Sequence, residues 1–415
     1  MRAIINGTIY TPLETIPDGV VLVEGATIHA IGARASTPIP RDAEIIDARG
    51  QAIVPGLIDL HTYGCLGTSM TAPERIADEL PAFARNVARF GVTRFLISPT
   101  MGDRQFIANM LIAIGNTIPI TRGGAIPLGI HLEGPWLDPE QRGAFPVEVL
   151  HAPTMDEAGE YLNATLRNMR ISQFSAIVGV TKIATPVAQL RVKQKFLRMV
   201  TLAPNLPNAL EVARFFQNNG VRVSLGHSNT TYEIARDAIN SGAYSLVTHI
   251  YNAMSGLHHR NPGVLGAVLS SDEITAMLIC DGIHAHPAAV KIFFRALGTD
   301  RVILVTDSIP GGGMTEGTFT MLNQSARIVD GVARLENGTI AGSILTLNRA
   351  VMNAREFGAL SLNDALKMAT TNPARALGLG NIGRLETGAD ADIVVMGDSG
   401  NVALTMVAGE IVYRT

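Results

Sequence analysis

Val221-Arg222-Val223-Ser224-Leu225-Gly226-His227 is a compact apolar run that ends on a histidine. A stretch with helical spacing, Tyr232–Asn240, follows it, and then a second such run, Ser245-Leu246-Val247-Thr248-His249-Ile250-Tyr251. Strand, helix, strand at this spacing is the unit from which parallel sheets are built, because parallel neighbours need a long crossover. Six further runs share the texture: Ile53–His61, Val92–Ser98, Ala125–Glu133, Met199–Ala203, Ile274–Asp281 and Val302–Asp307. Helical stretches such as His286–Leu297 separate most of them. Eight runs in this order predict an α/β chain built on a TIM-like (β/α)8 barrel over residues 53–379. The long gap from Glu133 to Met199 leaves room for an extra helical excursion.

The two ends read differently. Arg2–Tyr10, Gly19–Val23 and Thr27–Ile31 are short strands with turns between them, and so are Ala391–Met396, Ala403–Val407 and Glu410–Tyr413. Their shared style predicts one small β-sandwich domain formed by both termini, residues 1–52 with 380–415.

Composition narrows the class. The 415 residues are 47% hydrophobic and 17% charged, enough to fill a large core and too apolar for disorder. A formal charge of −3 argues against a broad nucleic-acid surface, so any anionic partner must be met by a local pocket. The two cysteines, Cys65 and Cys280, form neither a disulfide framework nor a CxxC site, which suits a reducing cytoplasm. Met1–Gly7 lacks a secretory apolar segment, and no apolar run reaches the roughly 18–20 residues of a membrane helix.

Ionisable residues recur where the apolar runs stop: His61, Glu133, His227, His249, Asp281 and Asp307. In a parallel barrel those ends ring one mouth. Packing does not explain such a register, since an ionisable group there must be solvated, paired or bound to metal. Glu133, His227 and His249 make a His2Glu donor set, typical of catalytic zinc and accessible to iron. Three ligands leave a position open for water, whose pKa on zinc falls towards about 7. Asp307 is the candidate proton carrier.

These residues lie in stretches that resemble the N-acetylglucosamine-6-phosphate deacetylase family, a branch of the amidohydrolase superfamily. The matching segments are Val54–His61, His131-Leu132-Glu133-Gly134-Pro135, Ser224–Ser228, Thr248–Met254, His258–Gly263, Asp281-Gly282-Ile283-His284, Val305-Thr306-Asp307 and Ile340–Ser343. The resemblance implies one divalent metal ion on Glu133, His227 and His249, with Asp307 as acid and base. It implies a phosphate met by Asn252, Ala253 and Arg260, whose planar fork suits phosphate oxygens. It places His284 against the sugar or the acetyl carbonyl, and Ile340, Ala341 and Gly342 along the sugar. It further implies a homodimer and a small amino-sugar phosphate as the molecule bound.

Departures from the family pattern bear on the substrate. The family's Gly-Ala-His is here Gly143-Ala144-Phe145, so a histidine that contacts sugar hydroxyls is replaced by a ring that can only stack. The family's Thr-Leu-Ala-Pro-Glu ends here in Asn205. The His-x-His that many amidohydrolases use for a second metal is His61-Thr62-Tyr63, which points to one metal. His61 and His131 are then expected behind the ligands. N-acetylgalactosamine-6-phosphate or a related N-acyl sugar is the alternative substrate. A cyclic-amide hydrolase needs a bridging lysine that Met199–Pro204 lacks, and a non-catalytic scaffold sits poorly with an intact donor set.

Overall fold

The computed structural model describes residues 1–170, 191–321, 324–335, 338 and 340–415. Eight central strands, Leu57–Asp59, Val92–Ile97, Ile126–Glu133, Leu197–Leu202, Arg222–Leu225, Leu246–Val247, Thr275–Ile279 and Val302–Val305, lie side by side in chain order. Every pairing between them is parallel. The first and eighth strands meet just beyond their ends, where Asp307 N donates to His61 O at 2.8 Å and Tyr63 N to Ser308 O at 2.8 Å. That contact brings the ring together at the rim that carries the ionisable residues.

The strands read as unbroken apolar runs because helices cover their outer face while side chains fill the interior. All of Val92–Ile97 and Val302–Val305 is buried. The helices carry local start signals. Thr231 caps Tyr232–Asn240 by accepting from Ile234 N, and Asp103 caps Arg104–Thr117 by accepting from Phe106 N at 2.8 Å. The helix read as His286–Leu297 begins at Pro287, because His286 stays outside as a cap and accepts from Ala288 N at 3.2 Å.

Several strands stop earlier than the apolar runs do. The run Ser245–Tyr251 contributes only Leu246–Val247, since His249 and Tyr251 turn the chain out of the sheet at φ of 29° and 78°. The run Ile53–His61 is split at Gly56: Ala52–Pro55 pairs with Ile393–Met396 in the terminal sheet, and Leu57–Asp59 belongs to the barrel. A Cβ on Gly56 would meet the Thr93 side chain at 2.2 Å, so only glycine allows the two sheets to come this close.

Both chain ends join in one eight-stranded sheet. Ile28 near one edge and Met406 near the other share a core with Ile4, Ile9, Ile393 and Leu404, so the sheet folds over on itself as a sandwich does. Two insertions decorate the barrel. The gap before the fourth strand holds the helix Met155–Ala164 and a hairpin of Leu166–Arg170 with Arg191–Lys195; the rest of the excursion expected there lies outside the described residues. After the eighth strand, Gly317–Met321, Gln324–Val329, Val332–Leu335 and Ile340–Gly342 form a small antiparallel sheet that sequence reading had not singled out.

Arg94 on the second barrel strand fastens the barrel to the terminal sheet. It is fully buried, and its guanidinium reaches Asp392 at 2.6 Å through Nε and Asp390 at 2.7 Å through Nη2. Removing it would strand two buried carboxylates without their counter-charge. Arg94→Ala is expected to destabilise the fold by about 3–5 kcal/mol, seen as a lower urea midpoint. A loss below about 1 kcal/mol, the scale of a surface pair, would contradict this assignment.

Candidate active site

The chain bends sharply where the site begins. His227, His249 and Asp307 all take left-handed backbone conformations, with φ of 48°, 29° and 47°. Such φ values are costly for non-glycine residues and concentrate where function fixes a side chain's direction. Here they swing three side chains from the strand ends toward the axis of the barrel mouth.

Glu133 ends the third strand and is buried. Its Oε1 lies 3.2 Å from His227 Nε2 and 2.9 Å from His249 Nε2, and the two nitrogens are 3.0 Å apart. Ligands of a tetrahedral zinc at bond lengths near 2.0–2.1 Å stand roughly 3.3 Å apart. His227 Nδ1 lies 2.7 Å from the Gln141 carbonyl, which can only accept, so Nδ1 carries the proton and Nε2 of the neutral ring offers a lone pair. His249 Nδ1 is buried without a hydrogen-bond partner. Three electron-rich atoms aimed at one point fit a divalent cation.

His61 is fully buried beside this trio. Its Nε2 is 3.4 Å from Glu133 Oε2 and 3.2 Å from Asp307 Oδ1, neither contact having the geometry of a hydrogen bond, while Nδ1 meets Ser98 Oγ at 3.0 Å. His61, Glu133 and His249 thus also offer atoms close enough to share an ion. Burial works against charge on His61, but the carboxylates of Glu133 and Asp307 outweigh it and hold its pKa well above the usual value. Burial likewise opposes the charge on Glu133, and the neighbouring His61 imidazole does most to keep its carboxyl well below the ordinary range.

His131 stands one layer deeper. Its ring lies 4.4 Å from that of His61, with Nδ1 3.1 Å from Leu60 O and Nε2 2.8 Å from Thr201 Oγ1. Burial, and then the neighbouring His61, hold its pKa well below the usual value, so the ring is neutral. Thr201 continues to Thr248 and Ser224 at 2.7 and 2.6 Å, a chain of hydroxyls under the site floor.

A cavity of about 410 Å³ opens above the trio. Ala144, Phe145, Asn252, Ala253, His284, Asp307, Ile340, Ala341 and Gly342 all line it, together with Glu133, His227 and His249. Arg260 does not. It is exposed, and its guanidinium has no hydrogen bond or ion pair among the described residues. Phe145 packs edge-on against His227 with ring centres 5.5 Å apart.

Three contributors were not assigned from sequence. Asp281, noticed only as a strand end, holds His284 Nδ1 at 2.6 Å; burial opposes charge on His284, and this carboxylate outweighs it and raises the pKa. Tyr63 donates its hydroxyl hydrogen bond to Glu133 Oε2. Asn205 donates to Asp138 at 2.8 Å and accepts from Ser228 Oγ at 2.7 Å, linking the loop after the third strand to the turn after the fifth. A glutamate at Asn205 would have set one carboxylate against another. Asp281 was visible beforehand at a strand end and in a matching segment, and Tyr63 and Asn205 as departures from the family pattern; the contacts all three make depend on chain bends.

The model of the amidohydrolase family matches residues 52–412. The chain is 32% identical over 398 residues to N-acetylglucosamine-6-phosphate deacetylase of Lysinibacillus sphaericus, covering 96% of this chain and 92% of that one. It is 33% identical to N-acetylgalactosamine-6-phosphate deacetylase of Escherichia coli O157:H7, over 88% of both chains. Among solved structures, a mutant N-acetyl-D-glucosamine-6-phosphate deacetylase from Mycobacterium smegmatis in complex with N-acetyl-D-glucosamine-6-phosphate superposes with a TM-score of 0.84. That match is 28% identical and covers 100% of this chain and 99% of the other. The barrel, the polar rim and these relatives lead to one conclusion: the chain belongs to the amidohydrolase family, in its N-acetylglucosamine-6-phosphate deacetylase branch.

Proposed function

We propose that this chain hydrolyses the acetamide of an N-acetyl amino-sugar 6-phosphate, N-acetylglucosamine-6-phosphate first, to acetate and the amino-sugar phosphate. The observation that carries the proposal is the meeting of Glu133 Oε1, His227 Nε2 and His249 Nε2 on the wall of a cavity that also exposes Asp307. A divalent cation in that set, zinc or with the same donors iron, would supply Lewis acidity to water and to the acetyl carbonyl.

The chain's own groups supply the rest. Asp307 takes one proton from the attacking water and returns a proton to the nitrogen as the C–N bond breaks. His284 turns Nδ1 to Asp281, whose carboxylate favours the protonated ring and with it an Nε2–H for the carbonyl oxygen as charge grows there. Ile340, Ala341 and Gly342 cover the sugar from the small inserted sheet. Asn252 and Ala253 meet the phosphate, joined by Arg260, whose unengaged guanidinium lies on the loop that follows them. A homodimer in the cytoplasm is part of the proposal, supported by family membership and by two buried, unpaired cysteines.

A second reading has its own observation. Phe145 stands in the cavity where the family pattern carries a sugar-contacting histidine, and one of the relatives acts on the galactosamine epimer. N-acetylgalactosamine-6-phosphate is therefore the alternative substrate.

Asp307→Asn is expected to keep its bound metal while kcat falls about 10²–10⁴-fold. Retention of wild-type turnover would show that the proton travels elsewhere. In an acetate-release assay, the two N-acetylhexosamine 6-phosphates should exceed their unphosphorylated forms by at least about 10²-fold in kcat/KM, the worth of a charged contact pair. Equal rates with and without the phosphate would remove Asn252, Ala253 and Arg260 from the proposal.

A further inference from the structure

The Glu133 carboxylate has two oxygens in an almost dry site, and they face different neighbours. Oε1 looks at His227 and His249. Oε2 receives the Tyr63 hydroxyl and lies 3.4 Å from His61 Nε2. We propose that Tyr63 is a positioning residue that divides this carboxylate: by holding Oε2 it presents Oε1 alone to the cation and limits the site to a single metal ion. The inference rests on the reading of Glu133, His227 and His249 as the cation's ligands.

Tyr63 is locked in place before its side chain enters the argument. Its backbone N–H donates to Ser308 O at 2.8 Å, and the preceding Thr62 bridges to Ser308, with their hydroxyls 3.0 Å apart. The segment after the eighth strand therefore fixes the backbone at this residue. Its ring stands edge-on to His61, with centres 5.4 Å apart, and the hydroxyl ends on Glu133. A fixed ring delivers one hydrogen bond to one oxygen without losing side-chain freedom at the moment of binding.

The position of that hydroxyl decides what else can bind. His61 Nε2, Glu133 Oε2 and Asp307 Oδ1 are the atoms a second cation would need, with His61 3.4 and 3.2 Å from the two oxygens. Tyr63 already directs a proton at one of the three. A neutral phenol is a weak cation ligand, and its proton repels a positive ion approaching Oε2. The consequence reaches Asp307. Without a second cation to ligate, its carboxylate stays available as a proton carrier and faces the cavity.

The test uses the full-length chain, stripped of metal and titrated with zinc, with affinity read by competition against a chromophoric chelator and stoichiometry by elemental analysis. The wild type should bind one equivalent. Y63F should bind its first equivalent about 10–100-fold more weakly, as expected when the group orienting a ligand is lost, and take up a second once Oε2 is released beside His61 and Asp307. Y63H should gain a second equivalent, because it exchanges a donor on Oε2 for an imidazole beside His61. Packing alone would not change the number of ions bound. Two equivalents in the wild type, wild-type affinity in Y63F, or a single equivalent in either folded variant would each overturn the proposal. Y63H decides the matter if Y63F does not fold. A wild type that binds no zinc would overturn the metal-site reading as well, whereas one equivalent in every variant at equal affinity would defeat only the role of Tyr63.

Discussion

A buried carboxylate cannot stand alone, and the site is organised around that constraint. Glu133 is 2% exposed and closes the third barrel strand in a place where water cannot solvate it. Its neighbours come from across the chain: Tyr63 from 70 positions before it, His227 and His249 from 94 and 116 positions after it. Each of these can donate a proton to the carboxylate or share a cation with it. The barrel brings them together because parallel strands end on one rim, and the left-handed bends at His227, His249 and Asp307 turn that rim inward.

The same geometry separates the tasks of the side chains. His227 is oriented by a backbone carbonyl from the loop that also carries Gly143, Ala144 and Phe145. That loop is anchored by Asp138 through Asn205 and Asn229, and further along by Glu157, which accepts from Trp136 Nε1 at 2.8 Å and meets His151 at 2.9 Å. A change in the loop is therefore felt by a metal-ligand candidate and by the sugar side of the cavity together. Phe145, packed on His227, joins the two most directly.

Much of this was legible in the amino-acid order. Period and apolar runs marked eight strands, and the ionisable residues at the ends of six of those runs marked the rim. Strand ends were less legible: His249 and Tyr251 leave the sheet through backbone bends that no periodicity announces. Links between distant segments were hidden altogether. Nothing near Arg94 signals that its partners, Asp390 and Asp392, lie almost 300 positions later. The small inserted sheet was missed for another reason, since its strands are short and, among the described residues, bury just Phe319, Ala326, Ile328, Ala333 and Ala341 around Ile309. Arg260, which the family resemblance sets on the phosphate, lies outside the cavity lining of the single chain.

Locating the metal directly tests the arrangement on which everything else depends. Crystals of the zinc-loaded chain, measured at the zinc absorption edge, should give one anomalous peak within about 2.0–2.2 Å of Glu133 Oε1, His227 Nε2 and His249 Nε2. A peak ligated by His61 in place of His227, or no peak at the barrel mouth, would contradict the account.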